Sequence, residues 1–430
     1  MSSSSSSLVN VVVEGCCHGS LDEIYETVRE IERRRAVKAD LLLLCGDFQG
    51  LRVERDLEAL AVPSKYRKLG GFGRYYRGEA EALCLTILVG GNHEASNALG
   101  ALYYGGWVAR RIYYLGAAGV VSFRGLRIAG LSGIYNRHHY HLHHFETTAA
   151  RGDDRNVRSA YHVREIDVFR LALLANRPDV FLSHDWPRGV ERWGNLEKLL
   201  QEKPFFREDV QRGQLGSPAN ELLLRILKPR RWFSAHLHCK FAALVTHDAA
   251  RDITTSFLAL DKCLPRRDFL QLVTLEGQPV LGDEPDRLYY DAEWIAILRK
   301  THGIDGALPP PATVPIPQTF PRVAPEDLAA VRALDLRIPT DFAPLPVVRV
   351  HPANPLSEGN PQTDRFLAHF GLPHVVTTPY APPPPPVLRT VVDPNAIALD
   401  DEEEEEEEEE DFAPPGGEEA EEGRKKQKKR

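Results

Sequence analysis

Five short apolar segments of this 430-residue chain each run directly into a cluster of polar residues. The segments begin at Leu8, Leu41, Leu83, Val180 and Trp232, and the clusters after them contain Cys, His, Asp or Asn. Short apolar segments of this kind predict buried strands. Layered α/β proteins place their sites at the carboxyl ends of such strands, so the five clusters are expected to meet.

Other segments have helical or strand-like periodicity, at residues 21–35, 119–130, 166–175, 221–227, 241–245, 253–260 and 289–299. Ser20, with Glu23 three residues later, predicts a capping box at the first helix. Gly125 lies between two apolar runs and predicts a hairpin turn. Alternating strands and helices followed by a run of strands indicate an α/β protein, a two-sheet β-sandwich flanked by helices.

The net charge of −8 is concentrated at one end of the chain. Residues 400–430 hold 16 of the 61 acidic and 6 of the 53 basic residues, which leaves 45 acidic and 47 basic residues in 1–399. The part of the chain with folding potential is therefore nearly neutral, and it can bind a polyanion only through local basic clusters.

Cysteine usage and apolar content limit the class of protein. The six cysteines, at positions 16, 17, 45, 84, 239 and 263, lack the density of a disulfide scaffold and predict a reducing compartment. Met1 and the six serines after it do not have the pattern of a signal peptide. No apolar stretch approaches ~18 residues, so no membrane span is expected.

Changes in composition predict four regions. Residues 1–7 are a disordered Ser-rich N-terminus, 8–280 a catalytic domain, 281–375 a partly Pro-rich C-terminal extension, and 376–430 a disordered tail with Pro-rich, acidic and basic segments. The basic residues at 424–430 are typical of nuclear import signals. We expect a nuclear protein, with shuttling to the cytoplasm as the alternative.

The polar clusters have the chemistry of a binuclear metal centre. Two divalent ions roughly 3.5–4 Å apart need a bridging carboxylate and several further ligands each. Asp47 suits the bridge, and the i, i+2 spacing of His236 and His238 turns both to one side of an extended chain. The candidate ligands are Cys16, His18, Asp47, Asn92, His184, His236 and His238.

Two positions in these clusters need separate interpretation. His93 neighbours the candidate ligand Asn92, so it is expected to point toward the substrate, as a general acid would. Cys16 stands where a carboxylate is usual, and a thiolate favours Zn(II) or Fe(II). The alternative for Cys16 is a small buried residue, which is the role expected of Cys17.

Together these residues resemble the calcineurin-like metallophosphoesterase superfamily, which has D-x-H, G-D, G-N-H-[DE], a lone His and G-H-x-H in this order. The chain has C-C-H, G-D-F-Q-G, G-N-H-E, S-H-D and A-H-L-H, with Cys16 for the first Asp and Ala235 for the last Gly. The motif E-G-C-C-H-G is the hallmark of the RNA lariat debranching enzymes within it. Longer stretches such as G-G-N-H-E-A-S-N and S-H-D-W-P-R-G extend that resemblance over residues 8–300, and G-N-P-Q-T-D-R-F resembles the family's C-terminal segment.

This resemblance implies hydrolysis of the 2′-5′ phosphodiester bond at the branch point of excised intron lariat RNA. It implies two divalent ions, Mn, Zn or Fe(II), at the candidate ligand positions. A hydroxide that bridges the metals would attack phosphorus, and His93 would protonate the departing 2′-oxygen. Two alternatives stay open, which are another metal-dependent nuclease or phosphatase of the same fold and an inactive scaffold that binds branched RNA.

Aromatic and basic residues near the predicted site suit stacking on bases and binding of phosphate. The residues expected to contact RNA are Tyr135, Arg151, Arg155, Arg158 and Trp186. For Trp186 the alternative is a packed ring that orients His184. The histidines at 138–144 are interpreted as a substrate-facing or solvent loop. We expect a monomer, and the sequence identifies no protein partner.

Overall fold

In the computed structural model, residues 7–144, 146, 154–278, 284, 286–304, 312–344 and 360–372 are described. The chain divides into a larger unit, residues 1–61 and 68–380, and a smaller one, residues 62–67 and 381–430. Within the described residues, the smaller unit contains one 3-10 helix, Ser64–Tyr66. The predicted domain boundaries stay predictions, and the predicted tail at 376–430 lies outside the described residues.

The strands form two sheets with the orders β12-β1-β2-β3-β5-β4 and β10-β11-β9-β8-β7-β6-β13. Their bounds are β1 (Ser7–Glu14), β2 (Leu41–Leu44), β3 (Leu85–Leu88), β4 (Gly106–Ala109), β5 (Ile112–Tyr114), β6 (Ala118–Phe123), β7 (Leu126–Leu131), β8 (Val180–Ser183), β9 (Arg231–Ser234), β10 (Phe241–Asp248), β11 (Ile253–Ala259), β12 (Leu270–Gly277) and β13 (Leu288–Tyr290). The pairs β1–β2, β2–β3, β7–β8 and β8–β9 are parallel, so their carboxyl ends meet at a common edge within each sheet.

The α-helices are α1 (Leu21–Arg35), α2 (Phe72–Tyr76), α3 (Ser96–Gly100), α4 (Asp154–Ser159), α5 (Glu165–Ala172), α6 (Leu196–Glu202), α7 (Arg207–Arg212), α8 (Pro218–Leu227), α9 (Ala292–Thr301), α10 (Pro325–Arg332) and α11 (Pro361–Phe370). Further 3-10 helices span Glu54–Ala59, Val190–Trp193 and Pro204–Phe206. Among the described residues, no helix has the length and apolar character needed to cross a membrane.

Successive side chains of a strand pack into different apolar clusters, and this separates the core into layers. Val11 and Val13 of β1 belong to an apolar cluster that also contains Ile128 and Leu182 of the second sheet, whereas Val12 packs into a different cluster with α1. Since successive strand residues point to opposite faces, the first cluster is the core between the sheets and the second lies under the helix. Helices α5, α8 and α9 cover the second sheet in a third cluster. The predicted two-sheet sandwich flanked by helices is confirmed.

Two local predictions are wrong. Ser20 precedes α1, but its side chain makes no capping hydrogen bond, so the capping box is absent. The helix predicted over 289–299 begins later, because Tyr289 and Tyr290 pair with β6 as part of β13. Asp291 then caps α9 by accepting a hydrogen bond from the Trp294 N–H at 2.9 Å.

The C-terminal extension docks on the edge of the first sheet. The Gln362 side chain at the start of α11 accepts from the Trp107 N–H at 2.8 Å and donates to the Trp107 carbonyl at 2.9 Å. Asn360 and Thr363 both donate to the carbonyl of Ala101. The motif G-N-P-Q-T-D-R-F, which resembles the family's C-terminal segment, therefore covers the edge strand β4. This strand follows the segment of the chain that leads away from His93.

Candidate metal centre

Four candidate donors meet at the carboxyl ends of the strands. Cys16, His18, Asp47 and His238 each offer a ligand atom, and these atoms lie within 4.8 Å of one another. The Nε2 atom of His18 lies 3.6 Å from Oδ2 of Asp47 and 3.4 Å from Nε2 of His238. The backbone N–H of His236 donates to the Cys16 sulfur at 3.2 Å. We call these four residues the thiol group of donors.

A second group of donors faces the other oxygen of the same carboxylate. The Nε2 atom of His184 lies 3.2 Å from Oδ1 of Asp47 and 3.0 Å from Oδ1 of Asn92. The ring of His236 lies 4.9 Å from that of His184, measured between centroids. Asp47, Asn92, His184 and His236 form the amide group of donors. Asp47 belongs to both groups, which is the position that a bridging ligand requires.

The hydrogen bonding of His184 fits a cation between these donors. Its Nδ1 donates to the carbonyl of Cys45 at 2.8 Å, so a neutral ring has its lone pair at Nε2. That lone pair faces the oxygens of Asp47 and Asn92, which are acceptors too, and the arrangement needs a proton or a metal ion between them. Burial lowers the pKa of His184, but Asp47, the hydrogen bond to the Cys45 carbonyl and Asp185 together outweigh it, so the net pKa is raised.

Asp47 itself supports the same conclusion. Its side chain is buried, and its Oδ2 has no hydrogen-bond partner among the described residues. Burial raises the pKa of Asp47, but His184, His93 and His18 outweigh it and hold the pKa well below its ordinary value. A buried carboxylate with an unused oxygen, next to a thiol and imidazoles, is the donor set that Zn(II) or Fe(II) binds.

The backbone at four donor residues is not extended, although the predicted direction of the i, i+2 side chains assumed an extended chain. His18, Asp47, His236 and His238 have φ angles of 44°, 48°, 63° and 44°, in the left-handed region. Such conformations cost about 1–3 kcal/mol each and persist only where the surrounding structure imposes them. The i, i+2 pairs therefore converge through tight turns after the strands, and His236 and His238 enter different donor groups.

His93 lies within the cluster rather than apart from it. Its backbone N–H donates to Oδ1 of Asp47 at 2.9 Å, and its Nε2 lies 3.2 Å from Nδ2 of Asn92. Its ring centroid is 5.5 Å from that of His18. This location beside both donor groups is compatible with proton transfer to a substrate there, and the acid role stays a prediction.

Glu94, which was not among the predicted site residues, holds the two ligand loops together. Its carboxylate accepts from the backbone N–H groups of Phe48 at 2.8 Å, Gln49 at 2.9 Å and Gly91 at 2.9 Å. Burial raises the pKa of Glu94 to about 7, although these three hydrogen bonds lower it. The sequence feature that could have indicated this role is an acidic residue directly after Gly-Asn-His, on a loop whose shape must stay fixed.

Glycines bring the donors close to one another. A Cβ atom on Gly91 would lie 2.2 Å from Oδ1 of Asp47 and 2.8 Å from Cε1 of His184. On Gly46, which has a φ of 114°, it would lie 2.3 Å from Nδ1 of His184. These glycines leave the space in which the donors of the amide group meet.

The structure corrects the interpretation of Trp186 as an RNA contact. Its ring is fully buried, stacks on Phe241 at 5.1 Å and donates from Nε1 to the Ala235 carbonyl at 2.8 Å. A base cannot reach a ring in this position, whereas the bond to Ala235 fixes the chain just before His236. The prediction failed because the covering aromatic residues come from later strands.

Three of the other four residues expected to contact RNA lie on described segments of the chain. Tyr135 is partly buried, with its ring 5.2 Å from that of Tyr140. Arg158 is partly exposed in α4, which also contains Arg155. Arg151 lies outside the described residues. The RNA role of these four residues stays a prediction.

The histidines of segment 138–144 hold this loop in place. His141 pairs with Glu165 and His144 with Asp167, both at 2.7 Å between nitrogen and oxygen, and both carboxylates belong to α5. Within the described ranges, these histidines do not join a metal-type cluster. Segment 138–144 is therefore still interpreted as a substrate-facing or solvent loop. His141 and His144 attach it to α5.

Strand-end donors that share one carboxylate, on a two-sheet scaffold, define a phosphoesterase of the calcineurin-like class. Residues 9–240 match the calcineurin-like phosphoesterase family, and residues 252–375 match the C-terminal domain of lariat debranching enzyme. The chain belongs to the lariat debranching enzyme family. The resemblance predicted from the motifs is confirmed.

Relatives from distant organisms agree with this assignment. The lariat debranching enzyme of Gallus gallus is 47% identical over 384 residues, which cover 85% of this chain and 70% of the relative. Lariat debranching enzyme A of Xenopus laevis is 46% identical over 385 residues, with the same two coverages. The Arabidopsis thaliana enzyme is 50% identical over 296 residues, or 69% of each chain. The chain is therefore a hydrolase of phosphodiester bonds, of a class that depends on divalent metal ions.

Proposed function

We propose that this chain hydrolyses the 2′-5′ phosphodiester bond at the branch point of lariat RNA and so linearises excised introns. The observation that carries the proposal is the shared carboxylate of Asp47 between two donor groups, with His93 beside it. The names of the relatives supply the substrate, since each is a lariat debranching enzyme.

The side chains have separate tasks in this reaction. Two divalent ions, when bound, would activate the attacking water and neutralise charge on the phosphate. Asp47 would be common to both ions, with the remaining thiol-group and amide-group residues on either side. His93 would donate a proton to the departing 2′-oxygen, and its backbone hydrogen bond to Oδ1 of Asp47 fixes its position relative to that carboxylate.

The two donor groups favour different metals. The thiolate of Cys16 favours Zn(II) or Fe(II) on its side of Asp47. The amide group has oxygen donors from Asp47 and Asn92 in addition to His184 and His236, and this set also suits Mn(II). We propose two divalent ions drawn from Mn, Zn and Fe(II).

Substrate contacts and location belong to the same proposal. The loop with Tyr135 and helix α4 with Arg155 and Arg158 would bind RNA near the branch.

The basic residues at 424–430 support a nuclear protein, although shuttling to the cytoplasm is also compatible with them. A fluorescent fusion that kept the same distribution after removal of 424–430 would contradict this signal. We propose a monomer, which sedimentation of the purified chain would test.

One experiment separates the proposed reaction from its alternatives. Matched branched and linear RNAs are incubated with enzyme loaded with Mn(II), Zn(II) or Fe(II) in turn. Cleavage at the 2′-5′ bond alone supports the proposal. Cleavage of linear RNA would indicate a general nuclease, and tight binding without cleavage under all three metals would indicate an inactive scaffold.

A further inference from the structure

Gln49 is a buried polar residue next to the thiol group of donors. Its side chain is 8% exposed, and its Nε2 lies 3.4 Å from Nδ1 of His18. The backbone of Gln49 is fixed in the left-handed region, with a φ of 52°, by a hydrogen bond from its N–H to Oε2 of Glu94 at 2.9 Å. Gln49 was not among the predicted site residues.

The position of Gln49 relative to His18 is fixed by the backbone as well. The His18 N–H donates to the carbonyl of Asp47 at 2.7 Å, two residues before Gln49. A Cβ atom on Gly19, which has a φ of 76°, would lie 3.6 Å from Oε1 of Gln49, which is an ordinary contact distance. Because the oxygen and nitrogen of a side-chain amide are nearly the same size, a half-turn about the Cγ–Cδ bond exchanges them and keeps the contact with the imidazole.

The proton on His18 determines which nitrogen can bind a metal ion. Nε2 of His18 is the nitrogen near Asp47 and His238, so it is the ligand atom that the site requires. For Nε2 to have a free lone pair, the ring proton must be on Nδ1 and must meet an acceptor. A half-turn of the Gln49 amide places its carbonyl oxygen at the position facing Nδ1.

We propose that Gln49 is a positioning residue that accepts a hydrogen bond from Nδ1–H of His18 and thereby makes Nε2 the metal ligand. Histidine ligands commonly have such an acceptor on the other nitrogen, and its loss weakens metal affinity by about 10–100-fold. This inference rests on the proposed metal centre, so its test begins by measuring that centre separately.

The first test is a competition titration of Zn(II) against a chelator, with the full chain and its variants. His18→Ala identifies the binding step that depends on the thiol group. Gln49→Met has similar volume but no acceptor, and we expect it to weaken the same step by about 10–100-fold. Gln49→Glu retains an acceptor and is expected to bind Zn(II) within a few-fold of the wild type. Melting temperatures show whether each variant is folded.

The second test reads the tautomer directly in the unaltered protein. Long-range 1H–15N spectra of the Zn(II)-loaded chain, with His18→Ala used for assignment, should show the proton of His18 on Nδ1. Ligation through Nδ1 would overturn the proposal, as would unchanged Zn(II) affinity in a folded Gln49→Met variant. Failure of the wild type to bind Zn(II) with its thiol group would instead overturn the metal centre, and the role of Gln49 with it.

Discussion

Gln362 acts as a strand partner for Trp107, although it belongs to a helix 255 residues later in the chain. One side-chain amide satisfies both the N–H and the carbonyl of a residue in the edge strand β4, and it also donates to Ala343 at 3.0 Å. Trp107 is buried, so its backbone groups depend largely on these bonds for hydrogen-bond partners.

We therefore expect Gln362→Met to lower the free energy of unfolding by about 1–3 kcal/mol, because it leaves buried backbone groups without partners. Urea denaturation would measure the change, and hydrogen exchange at the Trp107 amide would locate it. Arg365→Ala on the same helix removes only an exposed ion pair to Asp341, so it should cost about 0–1 kcal/mol. Equal losses in both variants would contradict the role given to the amide.

The adjacent thiols Cys16 and Cys17 provide a matched pair of substitutions. We expect Cys16→Ser to lower Zn(II) or Fe(II) affinity at the thiol group more than Mn(II) affinity at the amide group, because a hydroxyl is a harder donor. Cys17 packs in the cluster beneath α1, and burial raises its pKa well above the ordinary value. Cys17→Ser should lower stability without changing metal affinity. Identical metal content in wild type and Cys16→Ser would leave Cys16 without a ligand role.

His93→Ala tests the proposed acid. We expect turnover of branched RNA to fall by about 10²–10⁴-fold with both metal ions retained, since the proposed role of the ring is to donate a proton and not to bind a metal ion. Metal content and single-turnover rates would be measured on the same preparation. His369→Ala, at an exposed position on α11, is the control and should stay near the wild-type rate. Full turnover in His93→Ala would exclude the acid role.

Glu94→Gln tests the hydrogen bonds that hold the ligand loops. The new amide nitrogen cannot accept a hydrogen bond, so at least one backbone N–H among Phe48, Gln49 and Gly91 loses its partner. We expect metal affinity to fall by about 10–100-fold, as for other outer partners of metal ligands. The control is Glu79→Gln, which alters only an exposed pair with Arg77. If both variants bound metal equally, the loops would not depend on Glu94.

The double substitution of Arg155 and Arg158 by Ala tests the proposed RNA-binding region. We expect weaker binding of branched RNA and a shallower dependence of affinity on salt, because each lost phosphate contact reduces the number of released counterions. Metal content should not change, since no donor lies in α4. Fluorescence titrations at several salt concentrations would measure the slope. An unaltered slope would exclude phosphate contacts from both residues.

The sequence was sufficient for the layers and for the expectation that the candidate donors meet, because both follow from local patterns. The strand predicted at 41–44 has those bounds, and Cys17 lies in the core as expected. Periodicity and residue type determine these features directly. The family assignment followed from motifs that include the donors themselves.

Features that depend on distant parts of the chain could not be predicted in this way. Asp tolerates the left-handed conformation, but the sequence does not place it at Asp47, where the next residue, Phe48, is held by a hydrogen bond to Glu94 from a later loop. Trp186 is covered by Phe241 and Phe257, which arrive more than 50 residues later. The pairing of Gln362 with Trp107 spans most of the folded chain, and only the assembled sheet provides its partner.

Gly91 provides no donor atom, yet the nearby donors leave no space for a side chain at this position. Any side chain there would begin with an atom inside contact distance of Asp47 and His184. The metal centre therefore depends on the absence of atoms at Gly91 as well as on the ligands themselves. A larger residue at this position would resemble the loss of a metal ligand in its effect, although no ligand had been altered.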